Sequence, residues 1–229
     1  MGGLTNLTTG RTRACYVRAL FVLGKHGGEH ENRMGLECRG RHTHGVHWTR
    51  RVGFLLNLNP GYSGSEGALH RNRVFREICL RNLLHRNSPI SQFYYFHPKL
   101  KKSGGYIWWA RKLSELLKRF GADTIGTNLF VLEYFPYHSK SFKGAPRHFR
   151  SQAQLYNAQL LREAMKRKAD IVIMRGKSDW VELVSELQNY PYLHGLKSPQ
   201  AGSLSRKNLG RKSFQRIVKR LEKNARPRL

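Results

Sequence analysis

Val52-Gly53-Phe54-Leu55-Leu56-Asn57-Leu58-Asn59-Pro60-Gly61 is the stretch that decides the fold. Residues 52–58 form a short apolar run without polar alternation, and Asn59-Pro60-Gly61 supplies the turn that ends it. A run of that length bounded by turn residues predicts a strand buried on both faces, the pattern of a parallel sheet. Downstream, apolar residues at helical spacing predict a helix over Ala68–Leu84 (Leu69, Val74, Ile78, Leu80, Leu83, Leu84). A second helix is expected over Tyr106–Phe120, between Gly104-Gly105 and Gly121. Asp123–Phe135 is strand-like and stopped by Pro136, and Ser151–Lys168 is an amphipathic helix. Asp170–Arg175 is a compact buried strand, followed by a helix over Ser178–Leu187 with Ser178 as its N-cap. Tyr192–Lys197 is a last strand and Ser205–Lys223 a last helix, with Phe214, Ile217, Val218 and Leu221 on its core face. Strands alternating with helices predict the α/β class: a three-layer sandwich around a central, mostly parallel sheet of four to five strands. Residues 1–50, rich in Gly, His and Arg with weak periodicity, are expected to form an irregular basic extension packed on the core, with one strand; residues 51–229 form the α/β domain.

Charge narrows the partner. The 229 residues carry 42 Lys and Arg against 14 Asp and Glu, a net charge of +28. That surplus makes a polyanion, nucleic acid first, the expected ligand, and argues against an ordinary metabolic enzyme. Residues 205–229 concentrate it, with ten Lys or Arg against Glu222 as the lone acid. Apolar residues make up 39% of the chain, enough to bury a core and to set aside a disordered basic tail. Three cysteines, Cys15, Cys38 and Cys79, without a CxxC pair suit reduced thiols in a bacterial-type cytoplasm. No apolar run approaches the roughly 18–20 residues of a membrane span, so no membrane partner is expected. His26, His30, His42, His44 and His47, with Cys15 and Cys38, lack the paired spacing of zinc ligands; neither metal nor cofactor is expected. A two-metal nuclease would need clustered carboxylates, which are missing.

In a parallel sheet the ligand sits beyond the carboxyl ends of the strands, which selects three loops. The first, Asn57–Gly64, places Asn59 at the strand end with a proline-fixed turn after it. The second, Leu132–Ser139, carries Glu133, the single acid between Asp123 and Glu163, among aromatics. Either Glu133 pairs with one of the many arginines or its carboxylate accepts a hydrogen bond from a base edge. The third, Lys197–Asn208, holds an isolated Leu204 among small and cationic residues. Leu204 is either a wedge for a base stack or a staple for the last helix.

The order of these loops on strand ends resembles the uracil-DNA glycosylase superfamily, most closely its single-strand-selective and mismatch-specific branches. The resemblance runs from Val52 to the last helix; residues 1–50 have no counterpart. The family's G-x-N-P-G turn is matched by NLNPG (Asn57–Gly61). Glu133 of LEYFPY falls where the family's base-reading Asn stands, with Asn128 a rival for that role. The late His-Pro-Ser-Pro loop is matched only at Ser198-Pro199, where Leu196, Lys197 or Ser198 takes the place of the His and His194 lies nearby. Asn59 replaces the catalytic Asp of the most active branch, and Gly61 stands where that branch has a bulky Tyr, leaving room beside the base.

The resemblance implies a monomeric, monofunctional DNA N-glycosylase that needs no cofactor and leaves an abasic site, in repair or antiviral defence. An open pocket with a carboxylate reader favours a bulky modified cytosine. The superfamily includes anti-phage enzymes that remove sugar-decorated hydroxymethylcytosine, so glucosylated hydroxymethylcytosine is the favoured substrate. Asn59, Lys197 and Ser198 would serve the chemistry. Glu133 or Asn128, with Gly61, Tyr62 and Phe96, would hold the base; Phe93, Tyr94 and Tyr95 are further stacking candidates. Ser63, Ser139, Ser203, Leu204, Ser205, Arg206 and Lys207 would contact DNA. The alternatives are a non-catalytic nucleic-acid-binding module on the same fold, or a uracil-removing repair enzyme.

Overall fold

The computed structural model describes residues 51–61, 64–83, 96–135 and 150–225. The extension expected over residues 1–50, with its histidines and cysteines, lies outside them.

Among the described residues the apolar runs form a four-stranded parallel sheet in the order β2-β1-β3-β4. Its strands are β1 (Gly53–Asn57), β2 (Leu129–Glu133), β3 (Asp170–Ile173) and β4 (Leu193–Gly195). β1 is central, pairing Gly53 with Leu129 through Asn57 with Glu133 on one side, and Gly53 with Asp170 through Leu56 with Ile173 on the other. All five residues of β1 are buried, as the unbroken apolar run predicts.

Side-chain alternation sends the strands' two faces into two cores. Leu55, Leu129, Val172 and Met174 pack with Trp109, Leu113, Leu116, Phe214 and Ile217. Phe54, Leu56, Leu132, Ile171 and Ile173 pack with Leu161, Trp180 and Leu187. The sheet is therefore covered by helices on both faces, which is the α/β arrangement expected.

The helices are more segmented than their spacing predicts. Ala68–Leu84 is two helices, α1 (Gly64–Arg71) and α2 (Arg73–Leu83), because Asn72 accepts from the Phe75 N–H at 3.1 Å and starts a new one. Tyr106–Phe120 is likewise divided between α3 (Gly104–Lys112), capped by Ser103, and α4 (Ser114–Asn128). Gly121 kinks α4 with φ of 75°, a conformation that favours glycine. Residues 123–128, expected as strand, are helical. Thr127 and Asn128 bond back to the carbonyls of Asp123 and Thr124, and the strand starts at Leu129. A reciprocal Ser151–Gln154 capping box starts α5 (Gln152–Lys166). Helix α6 (Lys177–Leu183) starts after Gly176, so Ser178 lies inside it and is not its cap, and a 3-10 turn over Ser185–Asn189 follows. The last helix breaks at Gly210 into α7 (Arg206–Leu209) and α8 (Arg211–Ala225).

At the amino end of β3 the fully buried Asp170 anchors α8 to the sheet. Its Oδ1 accepts from Arg216 Nε at 2.6 Å and stands 2.9 Å from His194 Nε2, with Arg220 Nε 3.1 Å from Oδ2. Burial pushes this carboxyl up, but the hydrogen bonds from His194 and Arg216 and the charges of Arg220 and Arg216 outweigh it and leave it below its ordinary value. A carboxyl held low stabilises the fold above its unfolded value and loses that contribution as pH falls through its folded value. Acid unfolding followed by circular dichroism should therefore be less steep in Asp170→Asn, which also costs about 1–3 kcal/mol near neutrality. An unchanged acid limb would remove Asp170 from that role.

Candidate active site at the carboxyl end of the sheet

The chain leaves β1 toward β2 and leaves β3 toward β4, so the connections diverge between β1 and β3. In open parallel sheets such a divergence marks the ligand-binding end, at the carboxyl ends of the strands. Asn57 and Glu133 are register partners at these ends, and alternation puts both on the face of Leu55 and Leu129. Asn57 Nδ2 donates to Glu133 Oε1 at 3.2 Å. Both residues are buried, 6% and 5% exposed, yet among the described residues Asn57 Oδ1 and Glu133 Oε2 find no hydrogen-bond partner. Unpartnered buried polar atoms are costly, and two of them side by side at paired strand ends give a ligand an acceptor and a carboxyl oxygen to complete. Burial pushes the Glu133 carboxyl up to about 7, against the opposing Asn57 hydrogen bond and Arg175 charge.

Helices on the opposite face fix the backbone of this pair. Trp180 Nε1 donates to the Asn57 carbonyl at 2.9 Å, and Asn157 Nδ2 donates to the Glu133 carbonyl at 2.8 Å. After β3, Gly176 lets the chain pass under Leu58: a Cβ there would stand 2.7 Å from Leu58 Cδ1.

Cations line the same end. Arg175 and Lys197 follow β3 and β4 and are exposed. Lys112, at the end of α3, donates through Nζ to the Ala201 carbonyl, and its Nζ stands 5.3 Å from the Trp108 ring centroid. Burial, then Arg111 and Arg175, hold its ammonium below the usual value.

The sequence-selected residues divide. Asn59 lies two residues beyond the end of β1, half-buried, with Nδ2 donating to the Pro60 carbonyl at 3.1 Å; the strand end itself is Asn57. Gly61 is exposed, and a Cβ added there meets nothing within 4 Å. The half-buried Phe96 packs against the first core, edge-on to Tyr106 at 5.8 Å. Tyr62, Ser63, Phe93, Tyr94, Tyr95 and Ser139 lie outside the described residues.

Two assignments are corrected. Asn128 precedes β2 and holds Thr124 and Asn224, so it sits at the amino end of the strand, about 17 Å of chain from Glu133. It does not join the site. Leu204 is 1% exposed, belongs to the first core and donates its N–H to the Lys112 carbonyl at 2.8 Å, so it is a packing residue and not a wedge. Leu204→Ala should lower stability by at least about 2 kcal/mol in urea unfolding. A wedge would instead show unchanged stability with weakened DNA distortion.

The rest of the late loop is tied by Asn208, which sequence reading passed over. Its Oδ1 accepts from the Ser198 N–H at 2.7 Å, and its Nδ2 donates to the Ser198 and Ser203 carbonyls at 3.1 and 3.0 Å. Its carbonyl accepts from the Lys197 N–H. Ser205 caps α7 by accepting from the Asn208 N–H at 3.2 Å, with Ser203 Oγ 3.5 Å away. The Arg206 N–H donates to Glu115, while the side chains of Arg206 and Lys207 reach solvent. Asn57 carries a signal of its own in the sequence, a polar residue near the close of a buried apolar run.

Among the described residues no His, Cys, Asp and Glu cluster could hold a metal, and no helix is long and apolar enough to cross a membrane. Comparison of the chain with protein-family models, curated proteins and solved structures finds no significant match.

Proposed function

We propose that the protein is a DNA N-glycosylase that extrudes a modified pyrimidine, favoured as a bulky cytosine such as glucosylated hydroxymethylcytosine, and hydrolyses its glycosidic bond. The observation that carries this is the Asn57–Glu133 pair: buried, incompletely hydrogen-bonded and set at the strand ends of a chain with a charge of +28. Extrusion from duplex DNA costs a few kcal/mol, and the cations hold the backbone while it is met. As the bond breaks the sugar gains positive charge and the base negative charge. Asn59, in the loop after β1, would orient the attacking water; an amide is not a general base at neutral pH. Glu133 would contact the base edge, and the open position at Gly61 suits a substituent on the ring.

The test is product analysis. DNAs carrying modified pyrimidines are incubated with the protein and probed for alkali-labile abasic sites, which are expected with at least one modified cytosine. Their absence from all of them overturns the proposal. Affinity for DNA should also fall linearly with salt on logarithmic axes, with a slope of about −0.9 per phosphate neutralised. A flat response between low and physiological salt, measured by fluorescence anisotropy, would remove nucleic acid as the ligand.

A further inference from the structure

We propose that Asn57 and Glu133 together read the amidine edge of the extruded base, an amine beside a bare ring nitrogen, and that Glu133 passes a proton to that nitrogen as the glycosidic bond breaks. This rests on the glycosylase function proposed above. The two unpartnered atoms differ in kind. Asn57 commits one N–H of Nδ2 to Glu133 Oε1, and that bond turns its unpartnered Oδ1, an acceptor, to the other side of the amide. The same bond occupies Oε1, so the proton of the acid form belongs on the free Oε2, which then donates. An acceptor beside a donor matches the amine and N3 of cytosine, or the amine and N1 of adenine. Uracil presents a carbonyl and an N–H there, which sets oxygen against oxygen at Asn57.

Protonation of Glu133 follows from its surroundings. The residue is 5% exposed, and burial holds it at about 7. Two groups oppose that rise, the Asn57 amide and the Arg175 guanidinium after β3; Lys112 on α3 faces Arg175 in turn. The step balances for cytosine. The C1′–N1 bond breaks with its electron pair moving onto the base, and the Oε2 proton goes to N3. The base leaves as a neutral tautomer and Glu133 remains as carboxylate. Water adds to C1′ and releases a proton to solvent, from which Glu133 recovers its own.

The experiment measures single-turnover base release between about pH 5 and 9. Substrates are DNAs carrying cytosine and its 5-methyl, 5-hydroxymethyl and glucosylated forms, each matched to a uracil with the same substituent, and a strand in which adenine is the single amine-edged base. Release of the amine-edged base is expected to exceed its uracil match at least ten-fold and to fall above about pH 7. Glu133→Gln should abolish that fall along with most of the rate. Asn57→Ala, checked for an intact fold by its melting curve, should move the fall to higher pH and reduce discrimination at least ten-fold. Release of adenine alone upholds the reading of the amidine edge and overturns the pyrimidine substrate proposed above. Abasic sites formed equally from the uracil matches, or at a rate flat across the pH range, overturn this inference and leave the glycosylase function standing. No abasic sites from any DNA overturn both.

Discussion

A Glu133→Gln protein is expected to lose base release by about 100-fold or more and, at the same time, to outlast the parent protein on heating above neutral pH. The loss follows from chemistry: Gln keeps the shape of the acid but has no proton to transfer, and positioned acids contribute about 10²–10⁴-fold. The gain follows from linkage. Glu133 is raised from 4.5 to about 7, so the folded state binds a proton that the unfolded state has released. Stability therefore falls as pH rises from the ordinary carboxylate range through about 7, by about 1.4 kcal/mol for each unit of the rise and about 3 kcal/mol in all. Gln carries no charge and avoids that penalty, while its amide oxygen still accepts from Asn57 Nδ2. Melting temperatures of both proteins from about pH 5 to 9 should diverge with rising pH, the variant on top. If the variant instead melts lower at every pH and still turns over substrate, Glu133 is a structural partner of Asn57 and not a functional acid.

The largest loss of stability is expected from Trp180→Ala, about 3–5 kcal/mol in denaturant unfolding. Trp180 is fully buried, packs edge-on against Tyr134 at 5.7 Å and donates to the Asn57 carbonyl. Alanine removes the ring from the second core and the tie to the end of β1 together. Trp180→Phe separates the two effects. It keeps most of the volume, and the Asn57 carbonyl still accepts from the Tyr134 N–H at 3.0 Å. The Phe variant should fold with a cost of about 1 kcal/mol. Its base release should nevertheless fall more than that cost alone would predict, because the Asn57 end of β1 is less firmly placed. Equal stability of the Ala and parent proteins would contradict the burial of this ring.

Sequence pattern located the strands that matter and one half of the site. Val52–Leu58 reads as a buried strand because its apolar residues are contiguous, and Glu133 is conspicuous as an isolated acid in a basic, aromatic stretch. The helices were less legible at their ends. Asn72, Leu113 and Gly210 divide apolar-periodic stretches that look continuous, since periodicity records which face is buried and says little about where hydrogen bonding restarts. Asp123–Phe135 reads as strand throughout, whereas side-chain bonds to preceding carbonyls keep its first part helical up to Asn128.

The α/β class, the parallel sheet and the basic surface follow from the sequence by itself, because burial pattern and net charge are properties of residues in order. Tertiary structure alone decided which polar groups meet. Asn57 and Glu133 are 76 residues apart and touch only because β1 and β2 pair in that register. Leu204 and Asn128 left the site for the same kind of reason: a core 92 residues upstream at Lys112 claims the first, and the direction of β2 carries the second to the far end of the sheet. Hydrogen bonds act over about 3 Å. Chain order cannot fix distances on that scale until the sheet has chosen its neighbours and their register.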